Sequence, residues 1–274
     1  MMQAITAAIT VACAALATGC AASPPDRAEP RVTSVDIVNG SDDDVHASVV
    51  ALARAGLVSC SATLIAADTA LTAAHCVLPD APDAVLVGAV PSTATSIAVR
   101  ATRADPRFDP RTLDHDIARV ELVAPAGGTP TPPADAHTGE ALVAGATITV
   151  VGFGATSPAD LDPRRRHAGT VRVSEVAAAS FTAEPSPAVP CGGDSGGAAL
   201  VDVGGQEILV GVVSTGAATC DSAAAYTRVD AASFDPPSSG CSAAAGAPSW
   251  PALALALAWC GRALRRRRPR RLAA

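Results

Sequence analysis

The stretch Cys191-Gly192-Gly193-Asp194-Ser195-Gly196-Gly197 gathers residue types suited to nucleophilic chemistry. A serine set among glycines lies on a backbone that can approach a reacting carbonyl, because no Cβ stands in the way. Amide N–H groups in such a turn can converge on a developing oxyanion. A serine hydroxyl is a poor nucleophile near neutrality. It needs a base within hydrogen-bond reach, and the base needs a partner that orients it.

The chain has five histidines, at 46, 75, 115, 137 and 167. His75 follows the strand-like run Ala70-Leu71-Thr72-Ala73 and adjoins Cys76, a setting that holds a base rigidly at a strand end. His46, His137 and His167 stand among polar or Gly/Pro residues and read as loop positions, as does His115. The orienting acid should sit at the mouth of an apolar element. Asp116 leads into Ile117-Ala118-Arg119-Val120-Glu121-Leu122, an alternating strand pattern, and Asp114 is its nearest competitor. The cysteines show no CxxC spacing, so zinc and redox readings are poor, and neither metal nor cofactor is expected.

These groups need a scaffold of strands. From 45 to 231 short β-branched runs alternate with Gly, Pro and Asp clusters. Strands are predicted at 47–54, 61–66, 70–73, 84–89, 96–101, 117–123, 147–152, 169–176, 198–203, 208–214 and 225–229. Many short strands with turn signals between them point to an all-β barrel or sandwich. The Pro- and Gly-rich stretch 124–135 reads as a connection between two halves.

The termini differ from this body. Residues 4–17 are apolar, uncharged and too short for a membrane span, which suits a signal peptide over 1–20. Leu16-Ala17-Thr18-Gly19-Cys20 resembles a bacterial lipobox with Cys20 as the lipidated residue; the alternative is an ordinary cleavage site. Residues 21–36 read as a linker or propeptide and 235–247 as a second linker. In 248–274 an apolar run is followed by clustered arginines. With Gly240-Cys241 ahead of it, this tail resembles the C-terminal sorting signal of myxobacterial surface proteins, which implies envelope sorting machinery as a partner and Cys241 as the sorting residue. A permanent tail anchor and a nucleic-acid-binding arm are the competing readings. Residues 21–240 carry 13 Arg against 26 acidic residues, a net −13, and an acidic body argues against nucleic acid as a partner. The expected home is therefore outside the cytoplasm, on a bacterial envelope or secreted, with membrane association through signal, lipid or tail. Cysteines in an exported body fit disulfides.

His75, Asp116 and Ser195, in that order, resemble the triad of the trypsin/chymotrypsin-like serine peptidases. Ile37-Val38-Asn39-Gly40 is similar to the mature N-terminus of that family. Ser59-Cys60-Ser61 and Ala74-His75-Cys76, Val151-Gly152-Phe153-Gly154, Gly211–Gly216 and Tyr226–Val229 resemble further family segments, so the likeness covers residues 37–234. It implies two six-stranded antiparallel β-barrels with the active site in the cleft between them. It implies Ser195 as nucleophile, His75 as base, Asp116 as orienting acid, and the Gly193 and Ser195 amides as oxyanion hole. It implies disulfides Cys60–Cys76 and Cys191–Cys220, and an activated state in which a freed Ile37 amine pairs with Asp194. Asp36 stands before Ile37, so a trypsin-like activator would not cut there.

A specificity pocket is expected from Val189, Ser214, Gly216 and Ala224. With Val rather than an acid at 189, small or medium apolar side chains are the expected preference, since a buried cation needs a paired charge. The expected molecule is a monomeric endopeptidase acting on proteins or peptides. The alternative is a catalytically silent surface-binding protein on the same scaffold.

Overall fold

A computed structural model describes residues 37–154 and 165–234. Among these residues the regular structure is thirteen strands and three short 3-10 turns.

Strands β1 (Ser41–Asp42), β2 (Val49–Arg54), β3 (Leu57–Ala66), β4 (Thr69–Thr72), β5 (Ala84–Val87), β6 (Thr95–Ala104) and β7 (Ala118–Leu122) make up the first half. Six of them close a barrel in the order β2-β3-β4-β7-β6-β5, with β5 pairing back onto β2. The second half contains β8 (Thr147–Gly152), β9 (His167–Val176), β10 (Ser180–Pro185), β11 (Ala198–Val203), β12 (Gln206–Thr215) and β13 (Ala224–Arg228). These close in the order β8-β9-β10-β13-β12-β11, with β11 returning to β8 and β1 added on the free side of β9. Every strand pairing is antiparallel. The barrel-or-sandwich question is thus settled as two six-stranded barrels.

Local sequence explains the closure. In β7 the residues Ala118, Val120 and Leu122 are buried in the first barrel, while Arg119 and Glu121 face outward and pair at 2.9 Å. This is the period-2 alternation of a strand with one wet face. At the β11–β12 hairpin, Gly204 and Gly205 take φ of 66° and 88°. Two successive positive φ values match the right-handed twist of the flanking strands, which is why glycine suits this turn.

Each barrel has its own core. Val50, Leu52, Leu64, Val85, Val120 and Leu122 fill the first. Ile148, Val150, Val171, Phe181, Val210 and Tyr226 fill the second, where the Phe181 and Tyr226 rings stack at 4.7 Å. A third cluster draws Val49, Ala51, Leu71 and Ile117 from the first half, and Val151, Phe153, Leu200 and Val212 from the second. It joins the two barrels and supports the cleft between them. Burying such aliphatic side chains stabilises by roughly 1.5–3 kcal/mol each.

Two strands escaped the sequence pattern. β10 reads Ser-Phe-Thr-Ala-Glu-Pro, with a charge and a proline at its end, yet Phe181 and Ala183 face the core. β1 is two exposed residues held by β9. The predicted connection 124–135 does run between the halves. The signal, linker and tail readings on 1–36 and 235–274, with Cys20 and Cys241, lie outside the described residues. No helix among the described residues is long and apolar enough to cross a membrane.

Candidate active site

His75 is carried by a 3-10 turn, Ala74–Cys76, that directly follows β4. The turn is anchored by the Cys60–Cys76 disulfide, whose other half lies in β3. Asp116 sits just before β7 and is fully buried, at 0% exposure. Its carboxylate accepts three hydrogen bonds. The His75 backbone N–H reaches Oδ1 at 2.9 Å. His75 Nδ1 lies 2.7 Å from Oδ2. The Ser214 hydroxyl donates to Oδ2 at 2.6 Å. Asp116 therefore grips both the main chain and the ring of His75, while Ser214 of β12 in the second barrel secures the acid. Such charge-assisted bonds are short and strong. Asp114 turns instead to its own loop, where the Thr112 hydroxyl donates to it.

The serine loop is a chain of tight turns. The Asp194 N–H donates to the Cys191 carbonyl at 3.1 Å, and the Gly197 N–H to the Asp194 carbonyl at 2.7 Å. The Gly196 N–H and Gly197 carbonyl bond to Val213 of β12. Cys191 is also bound covalently to Cys220. Both expected disulfides are formed. Asp194 is buried and accepts the N–H groups of Gly154 and Cys191 at 2.8 and 2.9 Å. Ile37 is 1% exposed and packed in the second barrel's core, where Val38 and Val189 exchange two backbone bonds of 2.9 Å.

His75 and Ser195 together line two adjoining cavities. One, of about 420 Å³, adds Leu113, Pro190, Gly192, Val213, Ser214 and Gly216. The other, of about 320 Å³, adds Arg54, Cys60, Cys76, Leu78 and Asp80. A chain laid across the two would pass over the serine. Of the four residues expected in a specificity pocket, Ser214 and Gly216 line the larger cavity. Val189 and Ala224, expected there too, do not line it: they are buried at 3% and 2% exposure, Ala224 within the second barrel's core. No acidic residue lines that cavity among the described residues.

His46, His137 and His167 lie away from this cleft. His46 and His167 nevertheless do more than decorate loops: each is largely buried and faces a carboxylate, Asp43 and Asp42 respectively. Cys60, His75 and Cys76 come close enough together to resemble a metal cluster, but both sulfurs are consumed by the disulfide. The bond from Ser214 to Asp116 and the bonds made by Ser61 were invisible in the sequence. Serines are common, and neither position carries a spacing signal.

A fold of two closed barrels with a buried Asp–His pair beside a glycine-flanked serine defines a class, and the sequence comparison agrees. The family model described as trypsin matches residues 37–234, and the chain belongs to that family. Human serine protease 56 is 30% identical over 195 residues, which span 61% of this chain. The match covers 32% of the human protein, about a third of its length.

Proposed function

We propose that this protein is an exported serine endopeptidase that cleaves peptide bonds through an acyl-enzyme. The observation that carries the reading is the buried Asp116 carboxylate 2.7 Å from His75 Nδ1, in a cleft shared with Ser195. Ser195 attacks the scissile carbonyl. His75 takes the proton and returns it to the leaving amine. Asp116 holds the imidazole in the required tautomer and stabilises its charged form. The Gly193 and Ser195 amides receive the oxyanion. Purified protein should hydrolyse peptide substrates, and Ser195→Ala and His75→Ala should not. A wild type inert toward a broad peptide library would favour a silent binding scaffold instead.

The preferred residue before the cleaved bond is small or medium and apolar. The uncharged cavity walls at Val213, Ser214 and Gly216 support this. Dominant cleavage after Arg would refute it. Activation proceeds by a cut before Ile37, whose new amine pairs with Asp194. The burial of both Ile37 and Asp194 supports this step. N-terminal sequencing of the active form should start at Ile37. Two disulfides suit an oxidising compartment. The apolar ends of the chain support export by a signal peptide, with lipidation or sorting at Cys20 or Cys241 and a bacterial cell surface as destination.

A further inference from the structure

Ser61 of β3 stands beneath the serine loop with 0% exposure and four hydrogen bonds. Its hydroxyl donates to the Gly193 carbonyl at 3.0 Å and accepts the Phe153 N–H at 2.9 Å. Its own N–H donates to the Ser195 carbonyl at 2.8 Å. Its carbonyl accepts the Thr72 hydroxyl at 2.7 Å. One residue of the first barrel thus grips the carbonyls of both Gly193 and Ser195. The Gly193–Asp194 peptide is fixed at both ends, by Ser61 on its oxygen and by Cys191 on its nitrogen. With that plane fixed and Gly193 φ at 91°, the preceding amide has little freedom left. Among the described residues, no protein acceptor takes the Gly193 or Ser195 N–H.

We infer that the Ser61 side chain is a positioning residue that preorganises the oxyanion hole by holding the Gly193 carbonyl. The inference rests on the peptidase reading above, because it assigns the Gly193 and Ser195 amides to the oxyanion. Donors aimed in advance at developing charge need no reorganisation at the moment of reaction, so loosening them slows the chemical step. Substrate is held elsewhere, by the cavity walls, so ground-state binding should be spared. Ser61 touches no reacting atom.

The test compares wild type, Ser61→Ala and Thr72→Val. Thr72→Val removes a buried hydrogen bond to Ser61 without touching the Gly193 carbonyl. In Ser61→Ala, kcat should fall about tenfold, a fraction of the roughly 10²–10³ lost with an oxyanion donor itself. KM should stay within about twofold, the pattern of an interaction made only in the transition state. Affinity for a peptide trifluoromethyl ketone, which forms an oxyanion when bound, should fall in parallel with kcat. Affinity for a cleaved product peptide should hold. Thr72→Val should melt earlier with kcat retained. If Ser61→Ala does not fold, Ser61→Cys, close in volume and a weaker donor, carries the same readouts. The inference is overturned by an unchanged kcat in an active Ser61 variant, by equal losses in both variants, or by a kcat loss without loss of ketone affinity. A wild type that neither turns over peptides nor reacts with a serine-directed fluorophosphonate instead fails the peptidase reading, and the positioning role falls with it.

Discussion

His75 depends on Asp116 in two ways, through its ring and through its backbone N–H. Replacing Asp116 by Asn keeps the shape but removes the charge and invites the wrong imidazole tautomer. The expected result is a drop in kcat of about 10⁴-fold with the melting curve little moved, measured by steady-state kinetics beside thermal unfolding. A loss below about tenfold would exclude Asp116 from the role. His75, Asp116 and Ser195 were legible in the sequence because each sits in a distinctive context: a strand end beside a cysteine, the start of an alternating strand, a glycine cluster. The Ser61 contacts and the Ser214 bond to Asp116 were not. Their roles arise from residues 132 and 98 positions away that only the folded barrels bring near.

At the scale of elements, the serine loop is packed against β3 and β4 with no room to spare. Gly196 has φ of 79°, and a Cβ there would lie 2.0 Å from the Thr72 hydroxyl and 2.3 Å from the Ser61 carbonyl. Backbone strain costs roughly 1–2 kcal/mol and overpacking about 1–3 kcal/mol. Gly196→Ala should therefore lose about 3 kcal/mol of stability or more in denaturant unfolding, together with activity. A variant as stable and active as wild type would contradict this packing. Most strands were legible from alternation and turn residues, with ends displaced by a few positions. β3 begins at Leu57 rather than 61 and β6 runs to Ala104, because barrel pairing extends strands through polar residues such as Ser59 and Arg103. β10 was missed because its inward residues, Phe181 and Ala183, are separated by threonine and followed by Glu and Pro. The register that buries them is set by β9 and β13.

Across the whole molecule, a polar clasp ties the segment before β2 to the second barrel. Arg166, 2% exposed, donates to Asp43 at 2.6 Å and to the Val49 carbonyl at 3.1 Å, and lies over the Phe153 ring. His46 is set between Asp43 at 2.8 Å and Glu207 at 3.2 Å. The hydrogen bond to Asp43 raises the His46 pKa above its usual 6.5, against the opposing effect of burial, and Glu207 adds to the rise. Burial alone would lift the Asp43 carboxyl, but the bonds from His46 and Arg166 hold it well below the usual carboxylate range. The stabilisation from His46 is thus fully present below about pH 6.5 and is lost as pH climbs through its raised native value. The Asp43 contribution is present above the usual carboxylate pKa and is lost only in strong acid. Thermal melts should therefore show stability falling from pH 6.5 upward, and His46→Ala should flatten that fall. Equal slopes in the two proteins would exclude the clasp as its source. Nothing in the sequence pointed to this network. The opposition of Asp42-Asp43-Asp44 to Arg165-Arg166-His167 depends on β1 pairing with β9, which no local pattern announces.

The claim on which all of this turns is that Ser195 is a nucleophile activated by His75. A fluorophosphonate probe on the mature protein, followed by peptide mapping, addresses it directly. Covalent modification should fall on Ser195 alone and should vanish in His75→Ala while the fold is retained. No modification of a folded wild type, or undiminished labelling in His75→Ala, would contradict it.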